Sequence, residues 1–255
     1  MIFAIDIGNT NIVLGCIRGR NILFTERIST DHSKTDLEHA ISIKNVLELH
    51  HIDPSEITGA IIASVVPPIT SLIREALRKI TGCTAMIVGP GVKTGLNILM
   101  DNPATVGADL IVGAVAAIDE YPCPLVIVDM GTATTLAVVD GKRNYIGGMI
   151  LPGLRVSLDS LTSRTSQLPR ISLDPPRQLI GKNTIDCMKS GVLYGNASCI
   201  DGMVERIEEE LGEPVTVIAT GGLAGTITPL CRHSVILDDE LLLKGLLLLY
   251  EKNNG

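Results

Sequence analysis

Short apolar runs alternate with longer amphipathic segments along the first half of the chain. Two apolar runs between Ile2 and Ile17 flank the polar Gly8-Asn9-Thr10 segment, which is typical of two strands joined by a turn. A helical pattern follows over residues 37–50, and the apolar run GAIIASVV stops at Pro67 as a strand would. A second helical pattern and the run TAMIVGPG come next. Strands that alternate with helices predict an α/β fold.

The second half begins with a segment that resembles the start of the chain. In PLVIVDMGTATTLAVVDGKRN, Asp129 falls on Asp6 and Gly131 falls on Gly8, each after an apolar strand. The Gly-Arg-Asn turn at residues 19–21 also has a counterpart in GKRN at 141–144. The pattern therefore predicts an internal duplication.

The remaining elements complete a second layered half. A polar stretch with several prolines, Thr162 to Arg177, is predicted to be irregular, and a long helix is predicted from Thr184 to Leu211. The strand PVTVIAT, the turn GGLAG and a closing helix from about Asp238 to Lys252 follow. We expect two domains, at residues 1–118 and 119–255. Because no low-complexity linker separates them, we expect them to pack around a cleft.

Composition narrows the class of protein. The formal charge is -7 over 255 residues, and Lys and Arg form no basic stripe, which argues against nucleic-acid binding. The longest apolar run, Leu241 to Tyr250, contains Lys244 and is too short for a membrane span. With no signal-peptide pattern at the N-terminus, a cytoplasmic protein is predicted. Six cysteines without a C-x-x-C pair favour buried free thiols over disulfides or zinc.

The Gly8-Asn9-Thr10 turn has the chemistry of a phosphate-binding loop. Glycine permits close approach of the backbone, whose N–H groups can then donate to phosphate oxygens. Asp6 would hold a metal ion there, directly or through water, because a carboxylate repels phosphate. An ordinary hairpin turn explains this loop equally well when it is taken alone. The second copy, with Asp129, Gly131, Thr132 and Thr134, favours two loops for a polyphosphate ligand.

Asp109 begins the helical pattern GADLIVGAVAAI and has two possible roles. Aspartate is a favoured N-cap residue, so Asp109 could close the end of a helix. An aspartate that accepts a proton from an acceptor hydroxyl is also a usual component of phosphoryl-transfer sites. The pattern alone leaves both roles open, and they do not exclude each other.

An ordered set of motifs resembles a known enzyme family. The paired loops look like those of the acetate kinase, sugar kinase, Hsp70 and actin superfamily. More closely, DIGNTNIVLG, SVVP, DNPATVGADL, DMGTATT, GKNT, ATGGLAG and GLLLLYEKN together resemble type III pantothenate kinase. The resemblance implies two related actin-like (ribonuclease H-like) domains, each a mixed β-sheet flanked by helices, with a nucleotide cleft between them. It also implies transfer of the γ-phosphate of ATP to the 4'-hydroxyl of pantothenate, the first step of coenzyme A synthesis.

The resemblance further implies a role for individual residues. Asp109 would be the catalytic base, and Asp129 would help bind a monovalent cation (K+ or NH4+). The metal ion expected above at Asp6 would then be Mg2+, held through water. The residues implied in ATP binding are Asp6, Ile7, Gly8, Asn9, Thr10, Asn11, Ile12, Val13, Thr132, Gly221 and Gly222. Those implied in pantothenate binding are Met100, Gly107, Ala108, Asp109, Leu110 and Thr184. A homodimer is expected, with the acceptor site near the interface.

Two positions depart from the family pattern. The acceptor motif usually ends in arginine, where this chain has Leu110, and tyrosine is common at the position of Met100. Leucine cannot pair with an anionic acceptor, so Arg155, Arg164 or a cation of the partner subunit would have to replace the arginine. Alternatively, the chain is a kinase for another small hydroxylated acceptor, or a non-catalytic nucleotide-binding regulator.

Overall fold

The computed structural model describes residues 1–254 and divides into two compact units. Unit 1 comprises residues 1–96, 101–116 and the chain from residue 240 onward, and unit 2 comprises residues 97–100 and 117–239. Each unit contains one mixed β-sheet with helices packed against it. The predicted α/β class is confirmed.

Unit 1 contains a five-stranded sheet in the order β3-β2-β1-β4-β5. Strands β1, β2 and β3 form an antiparallel meander, whereas β4 lies parallel to β1 and β5 lies parallel to β4. The elements in chain order are β1 (Ile2–Ile7), β2 (Asn11–Arg18), β3 (Asn21–Ser29), α1 (Asp36–Leu49), β4 (Gly59–Ser64), α2 (Pro67–Thr81) and β5 (Met86–Ile87).

Unit 2 contains a six-stranded sheet in the order β11-β10-β7-β8-β9-β6. Its elements are β6 (Asn97–Ile98), β7 (Leu125–Met130), β8 (Ala133–Val139), β9 (Asn144–Pro152), α4 (Leu154–Arg164), α5 (Thr184–Leu211), β10 (Thr216–Thr220), α6 (Ala224–Ile227) and β11 (Val235–Leu237). The long helix α5 has the predicted bounds. The irregular stretch begins later than predicted, since Thr162 still belongs to α4.

The two sheets confirm the predicted duplication. If β6 is set aside, strands β9-β8-β7-β10-β11 repeat the order and the directions of β3-β2-β1-β4-β5. Even the register shift between the second and third strands recurs, at Cys16/Ile17 in unit 1 and at Val138/Val139 in unit 2.

Two further helices complete the chain, α3 (Ala108–Glu120) and α7 (Leu241–Asn254). The predicted domain boundary after residue 118 assigns α7 to the second domain, but α7 belongs to unit 1. The reason is burial, because Leu246 and Leu249 of α7 pack with Ala4 of β1 and Ile61 of β4 in one apolar cluster. This cluster covers one face of the first sheet.

The alternation along β1 determines which side each residue faces. Phe3, Ile5 and Ile7 are fully buried in the cluster that contains α1 and α2. Ala4 lies in the opposite cluster, with α3 and α7, and strand alternation puts Asp6 on that same face. In unit 2, Asp129 likewise lies on the face opposite α4 and α5. The repeats therefore place their aspartates equivalently.

All six cysteines are free among the described residues, as predicted. The expectation of burial is right for Cys16 but wrong for Cys187, which is exposed. Cys187 lies in the first turn of α5, where its thiol contacts the Gly181 carbonyl at 3.3 Å.

Candidate active site

The first predicted phosphate loop is the three-residue connection between β1 and β2. The Gly8 N–H donates to the Asn11 carbonyl at 3.0 Å, which closes the turn. The Thr30 N–H donates to the Thr10 carbonyl at 2.9 Å, so the end of β3 also holds the loop. The loop is thus tied to two strands of the first sheet.

The residues predicted around this loop differ in how far a ligand could reach them. Asn9, Thr10 and Asn11 are exposed, and Asp6, near the end of β1 that leads into the loop, is half-buried. Ile7 and Ile12 are fully buried in the core, so only their backbone could contact a ligand. The polar tip of the loop is therefore exposed, whereas Ile7 and Ile12 on either side of it are buried in the apolar core.

The second predicted loop, Gly131 and Thr132, connects β7 to β8 and is one residue shorter. Both residues are exposed, and the Gly131 N–H donates to the Ala133 carbonyl at 3.1 Å. The Gly153 N–H, just after β9, donates to the Thr132 carbonyl at 3.2 Å. Thr134 is buried, so it does not belong to the exposed tip.

The carboxylate of Asp129 lies against two glycine turns of unit 2. Asp129 pairs with Thr220 of β10, and the chain turns immediately afterwards at Gly221, which has a φ of +95°. A Cβ at Gly221 would lie 2.5 Å from Asp129 Oδ1, and one at Gly131 would lie 3.8 Å from the same atom. The structure thus brings Asp129, Gly131 and Gly221 together, and only glycine fits at Gly221.

Oxygen atoms at these two loops suit hard cations, which prefer carboxylate, carbonyl and water oxygens. Within residues 1–254, no three His, Cys, Asp or Glu side chains come together as a metal-binding group. A cation at Asp6 or Asp129 would therefore need backbone, water or ligand oxygens to complete its coordination.

Asp109 is the second residue of α3 rather than its N-cap. The Ile111 N–H donates to the Gly107 carbonyl at 3.2 Å, which makes Gly107 the residue at the cap position. The possible capping role of Asp109 is therefore wrong, because the helix begins earlier than that role requires. Its carboxylate accepts a hydrogen bond from the Leu110 N–H at 2.8 Å.

The surroundings of Asp109 favour the protonated carboxyl. Asp109 is half-buried, and this burial raises the pKa of its carboxyl above the usual value. Gly107 lies directly against the carboxylate, since a Cβ there would overlap Asp109 Oδ1. A raised pKa makes a carboxylate a better proton acceptor near neutral pH.

Unit 1 brings Asp6 and Asp109 to the same face of its sheet. Ala108, at the start of α3, packs against the cluster that contains Ala4, and Val13, which pairs with Asp6, packs there too. The carboxylate of the first loop and the candidate base thus share one layer, although their positions are far apart in sequence.

The remaining predicted acceptor residues are divided between the units. Gly107, Ala108 and Leu110 lie beside Asp109 in unit 1, whereas Met100 and Thr184 lie in unit 2. Met100 follows β6 and lies close to Gly147, and Thr184 is the exposed first residue of α5.

Two arginines could replace the arginine that the family pattern has at the position of Leu110, and both lie on α4. Arg155 and Arg164 are both exposed. Arg164 and Arg170 line a cavity of about 830 Å³, together with Leu158 and Leu168. This part of unit 2 therefore offers positive charge beside apolar surface, which suits an anion that carries an aliphatic group.

One residue that contacts the first loop was not predicted from the sequence. Thr30, just after β3, touches the first loop through both its backbone and its side chain. Its position in RIST shows no motif. Because no third strand was predicted after either hairpin, nothing in the sequence indicated this contact.

Comparison with known proteins agrees with these features. A family model described as type III pantothenate kinase matches residues 2–206. A type III pantothenate kinase from Exiguobacterium sp. is 47% identical over 253 residues, which cover 99% of each chain. Another, from Halalkalibacterium halodurans, is 44% identical over 99% of this chain and 100% of its own.

Solved structures share the fold at low identity. A Campylobacter jejuni protein described as a Baf family transcriptional activator superposes with a TM-score of 0.61 at 17% identity, over 98% of each chain. The Acidaminococcus fermentans (R)-2-hydroxyglutaryl-CoA dehydratase component A has a TM-score of 0.55 at 17% identity, over 98% of this chain and 97% of its own. These likenesses show the actin-like fold, and they carry no information on the substrate.

A membrane span is not found in the described part of the chain. Between residues 1 and 254, no helix combines the length and the apolar character that crossing a bilayer requires.

Proposed function

The chain belongs to the type III pantothenate kinase family, and we propose which of its residues carry the reaction. The enzyme transfers a phosphoryl group from ATP to pantothenate and gives 4'-phosphopantothenate, the first step of coenzyme A biosynthesis. The observation that carries this function is the 47% identity to a curated pantothenate kinase over 99% of both chains. A non-catalytic regulator is not favoured, because the curated relatives are kinases.

The two loops bind the phosphates of ATP in this proposal. The exposed Asn9, Thr10 and Asn11 of the first loop and Thr132 of the second offer hydroxyl, amide and backbone N–H groups. Such donors neutralise phosphate charge without a basic patch. Gly221 and Gly222 form the turn that would lie near the adenosine.

Asp109 accepts the proton of the pantothenate 4'-hydroxyl as that oxygen attacks the γ-phosphorus. Phosphoryl transfer depends mainly on positioning and charge stabilisation, so one carboxylate near the attacking oxygen is sufficient. Burial, which raises the pKa of Asp109, supports this role. Gly107 leaves the carboxylate room, because any side chain there would displace it.

Two cations complete the site. We assign Mg2+ to Asp6 through water and K+ or NH4+ to Asp129, whose half-buried carboxylate beside two glycine turns fits an oxygen-coordinated cation. When bound, these ions neutralise the charge of the transferred phosphoryl group.

We assign Gly107, Ala108, Asp109 and Leu110, as well as Met100 and Thr184, to pantothenate binding. Since Leu110 cannot bind the pantothenate carboxylate, that role falls to another cation. Arg164 is the candidate that the cavity on α4 favours, and Arg155 or an arginine of the partner subunit are the alternatives.

A homodimer is the second part of the proposal. Ile150 of β9 is 77% exposed, and its pairing with Thr135 puts it on the same face of the second sheet as Asp129, opposite α4. A large exposed apolar side chain favours association with another protein surface. We assign the surface around Ile150 to a second copy of the chain, and the enzyme to the cytoplasm.

The experiment that tests the function is ADP release by the purified protein with Mg2+, K+ and ATP. We compare pantothenate with no acceptor, pantoate, pantetheine and simple sugars. Turnover that depends on pantothenate is the expected result, and Leu110 is then a tolerated variation. Turnover only with another acceptor would make Leu110 and Met100 marks of a changed specificity and would contradict the proposal.

A further inference from the structure

We propose that Thr30 is a positioning residue that orients the first loop for the phosphates of ATP. The proposal rests on the assignment of this loop to ATP. Thr30 is the first residue after β3, 22 positions from Gly8 along the chain. Its role would be to fix the direction of one peptide group in the loop.

Thr30 makes two hydrogen bonds to the loop. Its N–H donates to the Thr10 carbonyl at 2.9 Å, which extends the antiparallel ladder of β2 and β3 by one pair. Its hydroxyl donates to the Gly8 carbonyl at 2.6 Å. The second bond does not belong to the ladder, and only a side chain with a hydrogen-bond donor can make it.

The hydroxyl bond determines where the next N–H points. In a trans peptide the carbonyl and the following N–H point in opposite directions. With the Gly8 carbonyl held toward Thr30, the Asn9 N–H is turned to the other side of the loop. Asn9 is an exposed residue, and in this proposal its N–H donates to a phosphate oxygen.

Two other backbone groups of the turn already have partners. The Gly8 N–H donates to the Asn11 carbonyl, and the Thr10 carbonyl accepts from Thr30. Since glycine restrains its backbone least, the peptide between Gly8 and Asn9 would turn most easily without a restraint. The Thr30 hydroxyl supplies that restraint.

The second repeat explains why a side chain is needed only in the first. The residue after β9 is Gly153, whose N–H makes the equivalent bond to the Thr132 carbonyl. A Cβ at Gly153 would lie 2.7 Å from the Gly131 carbonyl oxygen, so this shorter loop leaves no space for a side chain at the equivalent position. The longer first loop leaves room for the threonine.

The test compares Thr30→Val, which keeps the shape and removes the hydroxyl, with Thr30→Ser, which keeps the hydroxyl. Thr81→Val is the matched control, because the Thr81 hydroxyl also bonds to a carbonyl of unit 1, that of Leu77 at 2.9 Å, at the far end of α2. For each protein we measure the KM values for ATP and pantothenate and the Kd of MgATP without acceptor.

We expect Thr30→Val to raise the KM and the Kd for ATP roughly tenfold, as the loss of one oriented hydrogen bond predicts. The KM for pantothenate should stay within about twofold of the parent, because only the nucleotide loop is disturbed. Thr30→Ser should restore most of the ATP affinity, and Thr81→Val should leave it unchanged. Thr30→Ala must repeat the effect of valine, which excludes a contribution from the added methyl group.

Three results would overturn the proposal. These are a parent-like Kd for MgATP in Thr30→Val, a serine variant as weak as the valine variant, and an equal loss in Thr81→Val. The MgATP measurement separates the two proposals, since it does not depend on the acceptor. A parent protein that binds MgATP but does not phosphorylate pantothenate would contradict the function and leave the role of Thr30 measurable.

Discussion

At the scale of single residues, the most specific prediction is that Asp109 acts as the catalytic base. Its residue type and its place at the start of a helical pattern were visible in the sequence, yet capping and catalysis could not be distinguished. A capping role depends on where the helix begins to within one residue, and that is set by the Ile111 to Gly107 hydrogen bond.

Asp109→Asn should therefore lower kcat by about 10²- to 10⁴-fold, the usual contribution of a general base. The Kd of MgATP should not change, because the amide has the shape of the carboxylate. Asp119→Asn is the control, since Asp119 is exposed near the other end of the same helix. Near-normal turnover of Asp109→Asn in the ADP-release assay would show that another group accepts the proton.

The same substitution makes a prediction on pH dependence. Because burial raises the pKa of Asp109, the folded state binds more protons than the unfolded chain, and the protein loses stability as the pH rises through the folded-state pKa. Asparagine has no charge to bury, so Asp109→Asn should melt at the same or a higher temperature at neutral pH. This gain should vanish below about pH 4, where the carboxyl is protonated in both states. A variant that is less stable at neutral pH would contradict the expected sign.

At the scale of elements, α7 shows what the pattern of a helix leaves undetermined. Its apolar run predicts a core helix, but the sequence does not indicate which sheet it covers. Gly245, which looks like an interruption of this run, lies directly against the Val112 carbonyl of α3. The glycine therefore permits two helices to pack closely over the first sheet.

Gly245→Ala should lower the free energy of unfolding in spite of the better helix propensity of alanine. The gain in propensity is about 1 kcal/mol, whereas overpacking against backbone costs about 1–3 kcal/mol. Gly191→Ala in α5 is the matched control, because a Cβ there meets nothing within 4 Å. It should stabilise the protein by up to about 1 kcal/mol. Urea unfolding measures both variants, and equal gains would refute the close packing of α7.

At the scale of the whole molecule, the duplication explains why one chain has two phosphate loops. Two sheets with the same strand order place an aspartate and a glycine turn at equivalent positions. Strand β6 and helix α4 were not predicted, because a two-residue strand and the polar pattern of α4 are weak local patterns. Strands β3, β9 and β11 were not predicted either.

The proposed homodimer gives a prediction at this scale. Ile150→Asp should convert a particle of twice the 27.1 kDa chain mass into a monomer and lower kcat, because a buried charge opposes association. Leu49→Asp is the control, since Leu49 is 76% exposed and lies at the end of α1. Light scattering and the ADP assay measure both effects. A fully active monomer would show that the partner subunit contributes nothing to the site.

The sequence by itself determined the two strand-turn-strand hairpins, the long helix α5 and the membership of a kinase family. These features depend on neighbouring residues, through apolar alternation, glycine turns and short ordered motifs, and so they can be recognised without a structure. Only the tertiary structure decided that α7 covers the first sheet, that Gly221 lies against Asp129 and that Thr30 holds the first loop. Each of these contacts joins positions far apart in the chain, and they form only when whole faces of elements pack together.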